Sequence, residues 1–122
     1  MGYGLWAIRI ERTGAPLAVR VAIARGWRAR MVGLLGRRAL PEGDALVFER
    51  CQAIHTVGMR FPIDVVFVDR GWRVVAVRRA VGPGRLLRPV WRAWGVVELA
   101  AGSLARVGGL EVGDQLQLST AS

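Results

Sequence analysis

The only histidine, His55, the only cysteine, Cys51, and two acids set among aliphatic residues, Asp64 and Glu98, are the side chains of this chain best suited to chemistry. A zinc ion shared by Cys51 and His55 would need the sulfur at about 2.3 Å and the imidazole nitrogen at about 2.0 Å. A helix would bring the two together, but Gly58 and β-branched Ile54, Thr56 and Val57 argue against one. As a strand the same spacing spans about 13 Å, so joint ligation requires a sharp bend. The same distance works against a nucleophile–base pair, whose atoms must come within hydrogen-bond reach. A small core thiol is the expected role of Cys51, and one or two hydrogen bonds that of His55. No metal-ligand set and no cofactor are assigned.

The two acids carry more. Asp64 shares its strand face with Val66 and Val68, and Glu98 shares its face with Val96. A carboxylate among buried aliphatics must be paired or hydrogen-bonded, or its pKa rises. The pair offers a general acid and base, or the anionic wall of a pocket. Each acid alternatively holds turn amides or one of the arginines in place, and that structural role is preferred for both. His55, Thr56, Asp64 and Glu98 together form the candidate pocket. Phosphate loops, nucleophile elbows, dinucleotide fingerprints and zinc-finger spacings are all missing from the sequence.

All 18 basic residues are Arg against 9 acids, a net charge of +9. Lys and Asn are both absent, which a GC-rich genome explains; the excess charge it does not explain. From Arg12 to Pro41, and again from Arg70 to Val97, there are seven Arg and no acid. The second stretch interleaves Trp72, Trp91 and Trp94 with its arginines, a combination suited to phosphate backbones and stacked bases or to an anionic membrane surface. The anion-binding candidates are Arg78, Arg79, Arg85, Arg88 and Arg92. No nucleic-acid fold signature accompanies them, so a solvated basic surface is the preferred reading, any polyanion binding is expected to be weak, and the tryptophans are expected in the core.

These residues need a scaffold. A chain of 122 residues, 52% hydrophobic, suits one domain with one core. The longest uncharged run, Cys51 to Met59, is too short for a transmembrane segment. No signal peptide or disulfide pairing is evident, so a soluble cytoplasmic protein is expected. Alternation marks strands over Leu5–Glu11, Leu17–Ala24, Ala45–Glu49, Ile63–Val68, Arg73–Arg79, Gly95–Ala100 and Gln115–Leu118. Asp69-Arg70-Gly71-Trp72 is a hairpin turn and Val81–Arg92 a loop. Trp27–Leu35 has helical spacing before Gly36, and Ser103 is placed to cap a second short helix ending at Gly108-Gly109. Strands without regular β-α alternation predict an α+β, mainly β fold: a compact antiparallel barrel-like sheet with two short helices.

Four landmarks in order carry a family resemblance. They are Arg30-Met31-Val32-Gly33-Leu34-Leu35 with Leu40-Pro41-Glu42-Gly43 and Leu46-Val47-Phe48; Pro62-Ile63-Asp64-Val65-Val66-Phe67-Val68-Asp69; Val97-Glu98-Leu99-Ala100-Ala101-Gly102; and Leu110-Glu111-Val112-Gly113-Asp114. The chain resembles the domain of unknown function 192 family of small bacterial and archaeal proteins over about residues 15–118. The resemblance implies a mostly antiparallel β fold and no assigned activity. Where many members read Trp-Met-x-Asn-Thr, this chain reads His55-Thr56-Val57-Gly58-Met59, so a role tied to that indole or amide does not carry over. The expected function is a non-enzymatic domain that binds an unknown ligand or protein partner at a cleft near His55, Asp64 and Glu98. The alternatives are a small hydrolase or metal-dependent enzyme using the same groups, and a non-specific nucleic-acid or polyanion binder.

Overall fold

Seven stretches rich in β-branched and aliphatic residues pair into a single sheet in a computed structural model that describes residues 4–24 and 39–120. The strands are β1 (Gly4–Ile10), β2 (Pro16–Ala24), β3 (Asp44–Glu49), β4 (Ile63–Val68), β5 (Val74–Val81), β6 (Gly95–Ala100) and β7 (Leu116–Thr120). Their order across the sheet is β5-β4-β6-β3-β2-β1-β7. β4 and β6 run over the residues expected from their alternation, while β5 continues to Val81.

The sheet departs from the antiparallel expectation in one place. β2 and β3 pair in parallel, Arg20 opposite Asp44 and Ala24 opposite Phe48. Residues 25–43 join them, and a parallel pair needs a crossover of about that length. The other neighbouring strands are antiparallel. One short helix, α1 (Ser103–Arg106), is present among the described residues rather than two; the helix expected over Trp27–Leu35 lies outside them.

The two ends of the sheet curl toward each other, giving a half-barrel. Arg73 bridges Gln115, the Val74 amide donates to the Asp114 carbonyl at 2.8 Å, and the Leu116 amide donates to the Trp72 carbonyl at 2.9 Å. Asp114 steadies this seam, taking two hydrogen bonds from the Arg12 guanidinium and one from the Glu111 amide. The bonds from Arg12 hold its carboxyl below the usual carboxylate range.

Rolling a sheet makes its two faces unequal, and over its central strands β3, β4 and β6 both are buried. All six residues of β4 are buried, so its near-continuous apolar run reflects two covered faces rather than one. The inner face gathers residues from every strand, including Ile8, Val21, Val47, Val66, Val97 and Leu116, with Leu104 of α1 packed among them. The outer face carries Leu46, Phe48, Val65, Phe67 and Val96. Two loop segments cover it, residues 51–61 and 82–94, contributing Cys51, Met59 and Ala93 together with part-buried Ile54, Phe61, Leu87 and Val90. These segments pair irregularly with one another: the Leu87 amide donates to the Ile54 carbonyl at 3.2 Å and the Val90 amide to the Gln52 carbonyl at 2.7 Å.

Candidate functional site

Asp64 sits opposite Leu99 on the neighbouring strand, whereas Glu98 sits opposite Val65. Directly opposed residues share a face, and successive residues on a strand alternate. The two acids therefore project from opposite sides of the sheet, Asp64 into the inner core with Val66 and Leu99, Glu98 toward the outer core with Leu46 and Val65. They do not line one pocket.

Every hydrogen bond of Asp64 goes to backbone. Ile63 pairs with Val81 and Val65 with Arg78, so β5 carries two residues opposite the single Asp64. Such a bulge leaves an amide without a ladder partner, and Asp64 Oδ1 accepts it, from Ala80 at 2.8 Å. Ala80 has φ 49, a left-handed conformation unusual for alanine. Oδ2 accepts the amides of Gly102 and Leu104, each at 3.1 Å. Asp64 is thus the acceptor at the start of α1. Ser103, expected to cap that helix, instead donates its hydroxyl to the Ala100 carbonyl at 2.6 Å. Gly102, with φ 91, supplies the left-handed turn that aims its amide back at β4.

The strand bearing Asp64 and the segment bearing Glu98 and Gly102, which runs from β6 into the turn after it and which the sequence singles out separately, are thus one structural unit. A family model described as uncharacterized ACR, the domain of unknown function 192, matches residues 8–118. The chain belongs to the DUF192 family. Two solved structures share its half-barrel. A protein of unknown function from Novosphingobium aromaticivorans DSM 12444 has a TM-score of 0.79 at 23% identity, covering 91% of this chain and 83% of the other. A proposed transcription regulator from Sinorhizobium meliloti 1021 has a TM-score of 0.78 at 21% identity, covering 96% of each chain. At these identities the likeness is one of fold. No curated protein matches the sequence.

Within this DUF192 domain Glu98 contrasts with Asp64. It is 5% exposed, and its carboxyl accepts no hydrogen bond from the described residues. Burial without compensating donors pushes its carboxyl up to about 8. The group is therefore mostly the neutral acid at pH 7, able both to donate and to accept a hydrogen bond.

Thr56, fully buried, knots the two covering segments on Glu98's side of the sheet. Its hydroxyl donates to the Gly82 carbonyl at 2.6 Å and accepts the Arg85 amide at 2.8 Å. Its own amide donates to the Arg85 carbonyl at 2.8 Å, and its carbonyl accepts Met59 and Gly84. His55 is exposed, bridging Leu86 on the outside of the same knot. Cys51 is buried in the outer core and its thiol donates to the Ala53 carbonyl at 3.0 Å. The described residues contain no group of three or more His, Cys, Asp or Glu placed to hold a metal ion. No helix among them is long and apolar enough to cross a membrane.

Arg78, Arg79, Arg85, Arg88 and Arg92 are all exposed. Arg78 lies opposite Val65, and Arg85 is held beside Thr56 by its backbone. The Arg79 guanidinium reaches Gly109, beyond α1. The tryptophans are not uniformly core. Trp72 packs against the inner core and stands edge-on to Trp94, ring centroids 6.2 Å apart, whereas Trp91 is 75% exposed. Trp91 and Trp94 line a cleft with Arg50 and Arg70, two arginines that the sequence alone did not single out. Their positions, far apart in the chain, gave no signal; the neighbouring tryptophans did.

Proposed function

We propose that this protein is a non-enzymatic ligand- or partner-binding domain whose site is centred on Glu98, with His55 and Thr56 on the segment covering that face. Asp64 serves the site from the opposite side of the sheet by holding the turn that follows β6. The observation carrying this reading is the Glu98 carboxyl, buried and without a hydrogen-bond partner among the described residues. Drawing a carboxyl out of water without donors in exchange disfavours its charged form, so a ligand that brings a donor or a positive charge gains what folding left unmade. A basic or hydrogen-bonding group suits it best, since an approaching cation would draw the proton off Glu98.

The reading favours binding over catalysis because no nucleophile–base geometry accompanies the carboxyl: Cys51 is buried in the core and His55 faces outward. The test is a thermal-shift screen of amines, amides and divalent cations on wild type, Glu98→Gln and His55→Ala, with metal analysis of protein purified without chelator. Binding of an amine or amide that Glu98→Gln abolishes is expected, with release of a proton in the case of the cationic amine. Stoichiometric zinc, manganese or iron lost in His55→Ala would replace this reading with a metal-dependent enzyme.

A further inference from the structure

Three connections meet at one end of the half-barrel. Glu49 pairs with Gly95, and Val68 also pairs with Gly95, so the end of β3, the end of β4 and the start of β6 are adjacent. The Cys51 amide donates to the Trp94 carbonyl at 2.8 Å and the Trp94 amide to the Val68 carbonyl at 2.7 Å, fixing the connections to one another. Between them lies a cleft of about 570 Å³ lined by Arg50, Gln52, Arg70, Pro89, Trp91 and Trp94, among others. Its volume is within the range of small-molecule sites.

No acid among the described residues lines the cleft. Asp69, beside it in sequence, has its Oδ1 committed to the amides of Gly71 and Arg73. Arg50 is held with φ 53, a left-handed conformation that costs energy in a residue with a Cβ and that clusters at ligand sites. Gln52 holds the Trp91 backbone, its side-chain amide donating to the Trp91 carbonyl at 2.8 Å, while the indole of Trp91 stays 75% exposed. Trp94 is fixed edge-on by Trp72, and its indole N–H is buried without an acceptor among the described residues. The cleft thus combines one free aromatic plane on a tethered backbone, one immobilised indole with an unused donor, and two guanidinium forks.

We propose that this cleft binds a nucleotide unit, with the base laid on Trp91 and the phosphate held between Arg50 and Arg70. An indole face accepts any base because every base has a π-face, and guanidinium forks match phosphate oxygens in pairs. The site is separate from Glu98 and does not depend on the reading given for it. It also differs from a diffuse basic surface, because the base and the phosphate are recognised together.

Adenosine monophosphate and a short oligothymidylate are the probes, titrated calorimetrically into the full chain, with inorganic phosphate as the comparison. Both are expected to bind more tightly than phosphate alone. Trp91→Ala should weaken nucleotide binding about 5- to 160-fold, the range for losing one stacked base, and leave phosphate binding unchanged. Arg50→Gln/Arg70→Gln should weaken all three probes and flatten the salt dependence, which carries a slope of about −0.7 per phosphate contact for a single strand. Glu98→Gln should bind as wild type does. An oligothymidylate far tighter than the mononucleotide identifies a strand as the source of the unit; equal affinities identify the free nucleotide. Denaturation midpoints of the variants establish that each is folded. Nucleotide binding no tighter than phosphate, binding untouched by Trp91→Ala in a folded variant, or no binding of either nucleotide probe overturns the proposal.

Discussion

Asp64 and Glu98 are carboxyls on neighbouring strands, one register position apart, and each is almost wholly buried. One accepts three backbone amides; the other accepts no hydrogen bond among the described residues. The difference comes from what each faces. On the inner side a β-bulge and a left-handed glycine leave amides unpaired, and a carboxylate is the acceptor that binds them together. On the outer side the strands present complete ladders and aliphatic side chains, which offer a carboxylate no donors. Burial alone therefore does not tell a structural acid from one available to a ligand. The supply of unpaired donors around it does.

The most forceful way to break this contrast is Asp64→Asn. An amide cannot accept at both ends, so its NH₂ would face either Ala80 or the pair Gly102 and Leu104. We expect a loss of about 3 kcal/mol, several charge-assisted bonds being weakened at once, read as a lower urea midpoint. An unchanged midpoint would make Asp64 no more structural than Glu98.

Glu98→Gln should act in the other direction, and only above a certain pH. The folded carboxyl is pushed up to about 8 from the ordinary value of 4.5, so the folded state binds this proton more tightly than the unfolded state. Stability from this group is greatest below the unfolded value, falls as pH rises toward about 8, and is level above it. Removing the ionisable group should therefore raise stability by about 2 kcal/mol at pH 8.5, with little change at pH 4, allowing for partial water access. Urea midpoints at the two pH values check it, and a loss at pH 8.5 would mean that Glu98 is paired after all.

Thr56→Val tests whether the cover isolates Glu98. It removes the hydroxyl that ties the Gly82 carbonyl to the Arg85 amide while keeping the shape. A cost of about 1–2 kcal/mol is expected. A looser cover should also admit water and bring the Glu98 titration, followed by carboxyl NMR, back toward ordinary values.

Much of this architecture was legible in the sequence. Ile63–Val68 and Gly95–Ala100 form strands over the residues their composition marks, and Asp69 opens the hairpin turn by accepting the Gly71 and Arg73 amides. The family landmarks among the described residues fall on one connected fold. Relative phase between strands was not legible. Alternation shows that Asp64 lies with Val66 and that Glu98 lies with Val96, but only the pairing of β4 with β6 reveals that these are different sides. Ser103 looked like a helix cap because capping is usually local, and here the acceptor comes from a strand distant in sequence. The parallel β2–β3 pair was hidden for a similar reason, since nothing in either strand's composition records its direction. The Arg50–Arg70 cleft depends on three loops converging, a property of the topology rather than of any one segment.

The half-barrel also leaves one exposed seam. β5 stands at the end of the sheet, and its contact with the β7 end is made near Val74, before the strand reaches Arg78. Past that point an unprotected strand would invite a second chain to add to it. Here the exposed stretch carries Arg78 and Arg79, followed by the twisted Ala80 bulge. An incoming copy of the same strand would bring its own arginines against these and meet a backbone bent away from pairing. Two of the arginines that make the chain so basic thus stand where a second copy of this strand would add, and their charge works against that pairing.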